Sequence, residues 1–232
     1  MSHRMPKACW LLAGLLALVA AFAAPALAGG WSVPPPGYVD HPLPDCPRSL
    51  SRPLAHYRVC EDQMAGFASA LAKARAEGRF LLVVFGATWC PQCASLERTL
   101  DGGLLETGST ETAQAAPLAA RLLRYDVGGS VLVKGRTRAV PSGAAVLDLV
   151  LARDPEAEWR GWPFIAVLDP ADPSRVYTRN TADLWDPAAA RHDPDRLRAV
   201  LAGALAHLDT GAARPDEPRR GLASRLYHWL ID

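Results

Sequence analysis

The sequence carries almost no surplus charge: 25 Lys and Arg residues stand against 24 Asp and Glu residues in 232 positions. Phosphate binding needs a concentrated basic surface, so nucleic acid is not an expected partner. Internal repeats are missing, which excludes collagen-like and coiled-coil architectures. Only one uncharged apolar run is long enough to cross a bilayer, so the chain is not a polytopic membrane protein. Methionine is scarce; of three, only Met64 lies beyond residue 28, and no Met-rich stretch exists for copper. Disorder is excluded from the other side, since 50% of the residues are hydrophobic. The length suffices for one ordinary domain with a full core, plus about 50 residues.

The single long apolar run is Ala8 to Ala28, preceded by Arg4 and Lys7. Pro25 breaks it, and Ala26-Leu27-Ala28 supplies small residues for a peptidase. Residues 1–28 therefore read as a secretory signal peptide cut after Ala28, with an uncleaved membrane anchor as the alternative. Export implies a periplasmic location, with no membrane attachment after cleavage. Outside the reducing cytosol disulfides persist, and four cysteines remain beyond residue 28: Cys46, Cys60, Cys90 and Cys93. Four cysteines allow three pairings.

Residues 29–60 are a Pro-rich arm, extended or looped because Pro cannot propagate a helix. Met64, Phe67, Ala68, Leu71 and Ala74 recur at helical spacing up to Gly78. Phe80 to Phe85 is wholly apolar, as in a strand covered on both faces. A helix is predicted from Cys90 to about Leu105 and a strand over Leu122–Val127. The stretch Gly128 to Arg160 shows no clear strand, but Ser142–Arg153 looks helical. Phe164–Leu168 and Arg175–Arg179 read as a hairpin, and Asp193-Pro194 caps a helix reaching about Leu208. Residues 211–220 read as a polar linker, followed by a short helix from Leu222 to Leu230. Strands alternating with helices and closed by a hairpin predict an α/β domain over residues 61–210, with helices on both sides of a mixed sheet.

The chemical motif is Trp89-Cys90-Pro91-Gln92-Cys93, placed between a buried strand and a helix. Two intervening residues let one helical turn bring the sulfurs into bonding range. The helix N-terminus favours the Cys90 thiolate, and Pro91 is tolerated there because its missing N–H has no role in the first turn. Cys93 lies one turn further in, as a resolving thiol should. A zinc site would need four ligands, and beyond this pair only Cys46, His56 and Cys60 offer themselves. Haem attachment requires His after the second Cys, where Ala94 stands. A purely structural bridge here would close too small a loop to restrain the unfolded chain much. The remaining histidines, His41, His192, His207 and His228 among them, are scattered and receive no role.

Phe80–Glu97, reading FLLVVFGATWCPQCASLE, resembles the active-site strand, loop and helix of the thioredoxin superfamily. Arg160-Gly161-Trp162-Pro163-Phe164 resembles the segment in which that family places a cis-proline opposite the cysteines. The stretch after Cys93 is most similar to exported thioredoxin-like domains that resemble the C-terminal domain of the membrane thiol–disulfide interchange protein. The resemblance spans about residues 61–208 and implies a thioredoxin-like three-layer fold with a central mixed sheet. It also implies that Cys90 and Cys93 are catalytic, with Trp89, Trp162 and Pro163 binding substrate. Departures are visible too. The family's buried acid, six residues before the first Cys, is replaced by Val84, leaving Glu97 or Asp126 as substitutes. Trp162 is bulkier than the usual residue before the proline. The gap from Asp126 to Pro163 is long, and a helical insertion is expected at about 130–158.

Cys46 and Cys60 flank the start of the domain and are expected to pair as a structural staple of about 2–4 kcal/mol; a second redox relay is the competing reading. The function implied is a periplasmic thiol–disulfide oxidoreductase, reducing a dedicated protein disulfide and served by a membrane electron donor or acceptor. No cofactor and no metal is expected. The alternatives are a Cu(I)-binding module using the two thiolates, or a redox-silent adaptor in metal-centre assembly.

Overall fold

The computed structural model describes residues 30–40, 43, 57–105, 115–212 and 214. The signal segment, Cys46 and the predicted helix at 222–230 lie outside the described residues.

Helix α1, Gln63–Ala76, starts where the Asp62 carboxylate accepts from the Met64 and Ala65 N–H groups. This caps donors that the first turn leaves unpaired. Strand β1, Phe80–Ala87, is buried along nearly its whole length. Helix α2, Pro91–Thr99, runs into a π-helical turn at Leu100–Leu104, so the helix predicted from Cys90 to Leu105 is one segment with a widened end. Helix α3, Ala115–Arg121, leads directly into strand β2, Leu122–Val133. Strand β3 is Arg136–Ala139, helix α4 is Pro141–Leu151, strand β4 is Phe164–Leu168 and strand β5 is Val176–Asn180. A small ribbon pairs β6, Trp185–Asp186, with β7, Arg191–His192. Helix α5, Pro194–Thr210, is capped by Asp193 and stopped by Gly211 at φ 68°, a left-handed conformation that glycine adopts without a Cβ penalty.

The main sheet has the order β3-β2-β1-β4-β5. Strands β1 and β2 are parallel, and the other neighbours are antiparallel. Alternation along β1 sends Leu82 and Val84 to one side and Leu81, Val83 and Phe85 to the other. On the first side they meet Leu96 and Leu100 from the α2 segment and Leu197, Leu201 and Leu205 from α5. On the second they meet Met64, Phe67 and Leu71 from α1 and Val146 and Val150 from α4. Both faces of β1 are thus dry, which is why Phe80–Phe85 carries no polar residue. The result is the expected three-layer α/β arrangement.

Two expectations need correction. The stretch from Gly128 does contain strand: β2 runs on to Val133, turns at Lys134 (φ 49°) and Gly135 (φ 75°), and returns as β3. The signal missed is a two-residue turn with both residues at positive φ, which fits the twist of a hairpin. Helix α4, within the stretch expected as a helical insertion, packs in the core, with Val146, Leu147 and Val150 buried beside α1. Arg214, placed in a polar linker by its surroundings in the sequence, is docked: its guanidinium donates to both Asp154 oxygens at 3.0 and 2.8 Å and to the Thr178 carbonyl at 2.8 Å. The Pro-rich arm is also fastened, since the Trp31 indole N–H donates to the Asp169 carbonyl at 2.8 Å and the ring meets Phe67 edge-on.

Candidate active site

The site forms where β1 stops and α2 begins. A bulge on β2 brings Ala87 opposite Ser130, skipping Gly129 in the pairing. The Ser130 carbonyl accepts from Thr88 N–H at 3.2 Å, and its hydroxyl accepts from the Trp89 indole N–H at 3.2 Å. The loop before the cysteines is therefore tied to the neighbouring strand. Gln63 performs a similar task underneath, donating to the Gly128 carbonyl at 2.8 Å and accepting from its N–H at 2.6 Å. It is 1% exposed and supplies the pairing that a strand would otherwise give.

Cys90 is the N-cap of α2, with Pro91 in the first turn. Its sulfur accepts from the Cys93 N–H at 3.2 Å. Together with the helix dipole, that hydrogen bond favours the anion at Cys90. Cys90 and Cys93 form a disulfide, with Cα atoms 5.2 Å apart. The two are not equivalent: Cys90 is 8% exposed and Cys93 0%. Cys90 itself is thus nearly closed off from solvent. Tyr57, Val59, Val131 and Val140 pack with the pair, and Trp162 leans on the same cluster. Tyr57 and Val59 were missed by sequence reasoning, because an arm residue gives no local hint of where it lands. The glycines at 86 and 128 are the legible trace, since a Cβ at either would collide with Tyr57 or Val59.

The Trp162–Pro163 peptide bond is cis. Pro163 precedes Phe164, which pairs with Phe85 near the end of β1. The Pro163 carbonyl accepts from the Thr181 hydroxyl at 3.1 Å. The Trp162 ring lies over Gly129, where a side chain would occupy its place. Trp159 stacks obliquely on Trp162, with centroids 5.0 Å apart, and was not singled out from the sequence. Trp89 and Trp159 are 42% and 44% exposed, so apolar surface borders the cysteines. Cys60 is disulfide-bonded, while its expected partner Cys46 lies outside the described residues.

Val84, at the position of the family's acid, is sealed in the core. Carboxylates are nevertheless present on that side of the sheet. Asp126 is the register partner of Val84 on β2. Glu97, one turn beyond Cys93, is 4% exposed. The Tyr57 phenol is pushed well up by burial and then by the charges of Glu97 and Asp126. Arg124 binds Asp126 and Asp101, each at 2.7 Å. Burial works against its charge, but Asp126 and Asp101 hold the guanidinium more firmly protonated than usual. Carboxylates thus stand on the neighbours of β1, and Arg124 on β2 pairs with that of Asp126.

Residues 62–170 match the family model described as thioredoxin-like. The domain they form belongs to the thioredoxin superfamily, and its close cysteine pair gives it a thiol–disulfide redox role. No curated protein and no solved structure matches the chain.

Proposed function

We propose that this chain is an exported, periplasmic thiol–disulfide oxidoreductase that reduces the disulfide of a dedicated protein partner. The observation that carries this reading is Cys90 at the cap of α2, accepting a hydrogen bond from the N–H of a fully buried Cys93. In the dithiol form the Cys90 thiolate attacks one sulfur of the substrate. A mixed disulfide forms and the other substrate sulfur leaves as thiolate. Cys93, deprotonated, then attacks Cys90 Sγ and releases the second substrate thiolate. Two electrons pass to the substrate, two protons follow, and the chain ends as the Cys90–Cys93 disulfide. A partner dithiol at the membrane restores it by the same exchange in reverse. In this reading Trp89, Trp162 and Pro163 hold the substrate strand, Trp162 packing against the cysteine cluster.

A Cys93→Ala variant tests this. It traps substrate on Cys90 as an adduct that dithiothreitol releases, and Cys90→Ala traps none. Equal trapping by both variants, or by neither, would overturn the reading.

A further inference from the structure

The two edges of the main sheet are treated differently. At the β5 edge all five residues are buried, Thr178 N–H donates to Asp154 at 3.0 Å, and the Thr178 carbonyl accepts from Arg214. That edge is closed. At the other edge all four residues of β3 are exposed. Val140 N–H donates to the Gly129 carbonyl at 3.0 Å, and the register pairs Arg138 with Val131 and Arg136 with Val133. Alternate residues of an antiparallel ladder face the partner strand, so Thr137 and Ala139 turn their N–H and C=O groups outward.

The charge at this edge is of one sign. Lys134, Arg136 and Arg138 stand within five residues, and no Asp or Glu occurs from Val127 to Leu147. None of the three cations belongs to an ion pair among the described residues. Basic side chains on a free edge discourage two copies of that edge from pairing, because like charges would face each other. The same charges invite a strand of opposite sign. The edge also ends at the chemistry. Ala139 pairs with Ser130, which holds Trp89, and Val140 packs with Cys90 and Cys93.

We propose that β3 is the docking edge for substrate: an extended acidic segment flanking the substrate's disulfide adds to it as a further strand. The segment runs from the cysteines toward the turn at Lys134 and Gly135, a span of about 17 Å at strand rise. Thr137 and Ala139 supply main-chain hydrogen bonds and the three cations supply the preference. This rests on the redox reading of Cys90 and Cys93 and names the class of protein disulfide they meet.

The test uses the full chain, reduced, in single-turnover reactions with three disulfide peptides that differ only in Glu, Ser or Lys flanks. Each rate is divided by the rate of the same protein with hydroxyethyl disulfide. The acidic peptide is expected to react at least ten-fold faster than the basic one, with the advantage shrinking as salt rises. In R136E/R138E the order inverts. In Thr137→Pro, which removes an outward N–H and no N–H that pairs with β2, the Glu and Ser peptides both slow relative to hydroxyethyl disulfide. Equal rates for the three peptides, or an acidic preference that survives R136E/R138E, would overturn the docking edge while leaving the redox reading intact. No reaction with hydroxyethyl disulfide would remove the redox reading and the docking edge with it. A dimer abolished by R136E/R138E would give the edge to a second copy, and binding to anionic vesicles without peptide discrimination would give it to lipid; either result overturns the proposal.

Discussion

Cys93 gives its backbone N–H to the Cys90 sulfur at 3.2 Å while its own side chain is wholly buried. The two thiols of the reduced protein therefore differ in acidity. Cys90 is expected to titrate below the ordinary thiol value of about 8.5, and Cys93 above it. Absorbance of the thiolate at 240 nm, in the chain and in each single Cys→Ser variant, measures both. Alkylation by iodoacetamide at neutral pH should mark Cys90 first; equal labelling would contradict the arrangement.

Glu97 lies one helical turn beyond Cys93 and is buried beside Tyr57. Residues four apart on a helix face one another, so this carboxylate is expected to take the proton from Cys93 as it attacks. Glu97→Gln should slow release of the mixed disulfide by about 10²-fold. Its formation at Cys90 should change much less. Stopped-flow tryptophan fluorescence separates the two steps, and equal slowing of both would argue for a merely structural role.

His192 is fully buried on the ribbon behind α2, with its pKa driven down by burial to about 4. The unfolded chain takes up that proton at about 6.5, so stability is complete above pH 6.5 and falls as pH drops toward 4. The loss should reach roughly 3 kcal/mol. Urea midpoints at pH 7.5 and 4.5 report it, and His192→Leu should flatten this part of the profile.

Arg214 closes the β5 edge on Asp154, whose side chain is 2% exposed. Burial raises the Asp154 pKa, but the hydrogen bonds from Arg214 and Thr178 outweigh it, and the carboxylate sits below its usual range. Arg214→Ala leaves that charge buried without its cation. A cost of about 3 kcal/mol is expected in chemical denaturation, with Asp154→Ala/Arg214→Ala less damaging than the sum of the single changes.

Gly129 is the floor on which the Trp162 ring rests. Gly129→Ala has to push the indole away from the cysteines. About 1–3 kcal/mol of stability should be lost, together with slower adduct formation in the Cys93→Ala background. An unchanged adduct rate would show that Trp162 does not shape the groove.

Much of the chain was legible because its signals are local. The apolar run Phe80–Phe85, the Asp193-Pro194 start of α5 and the Cys90–Cys93 spacing each draw on residues within a turn or two of one another. Other features were hidden because they depend on distant partners. Tyr57 and Val59 belong to a Pro-rich arm, yet they lie against the end of β1 and the middle of β2, where Gly86 and Gly128 leave room. Arg214 sits among polar residues in sequence and becomes a half-buried cation only because the buried Asp154 awaits it.

By itself the sequence determined that a buried strand delivers a dithiol to a helix N-terminus, since hydrophobic periodicity, caps and a two-residue spacing are properties of neighbouring residues. Only the tertiary structure decided which carboxylates lie near that dithiol, which tryptophans rim it and which sheet edge is left exposed among the described residues. Those outcomes depend on strand order and on which segments cover each face, and pairing between residues as far apart as Leu81 and Leu168 leaves no periodic trace in the chain.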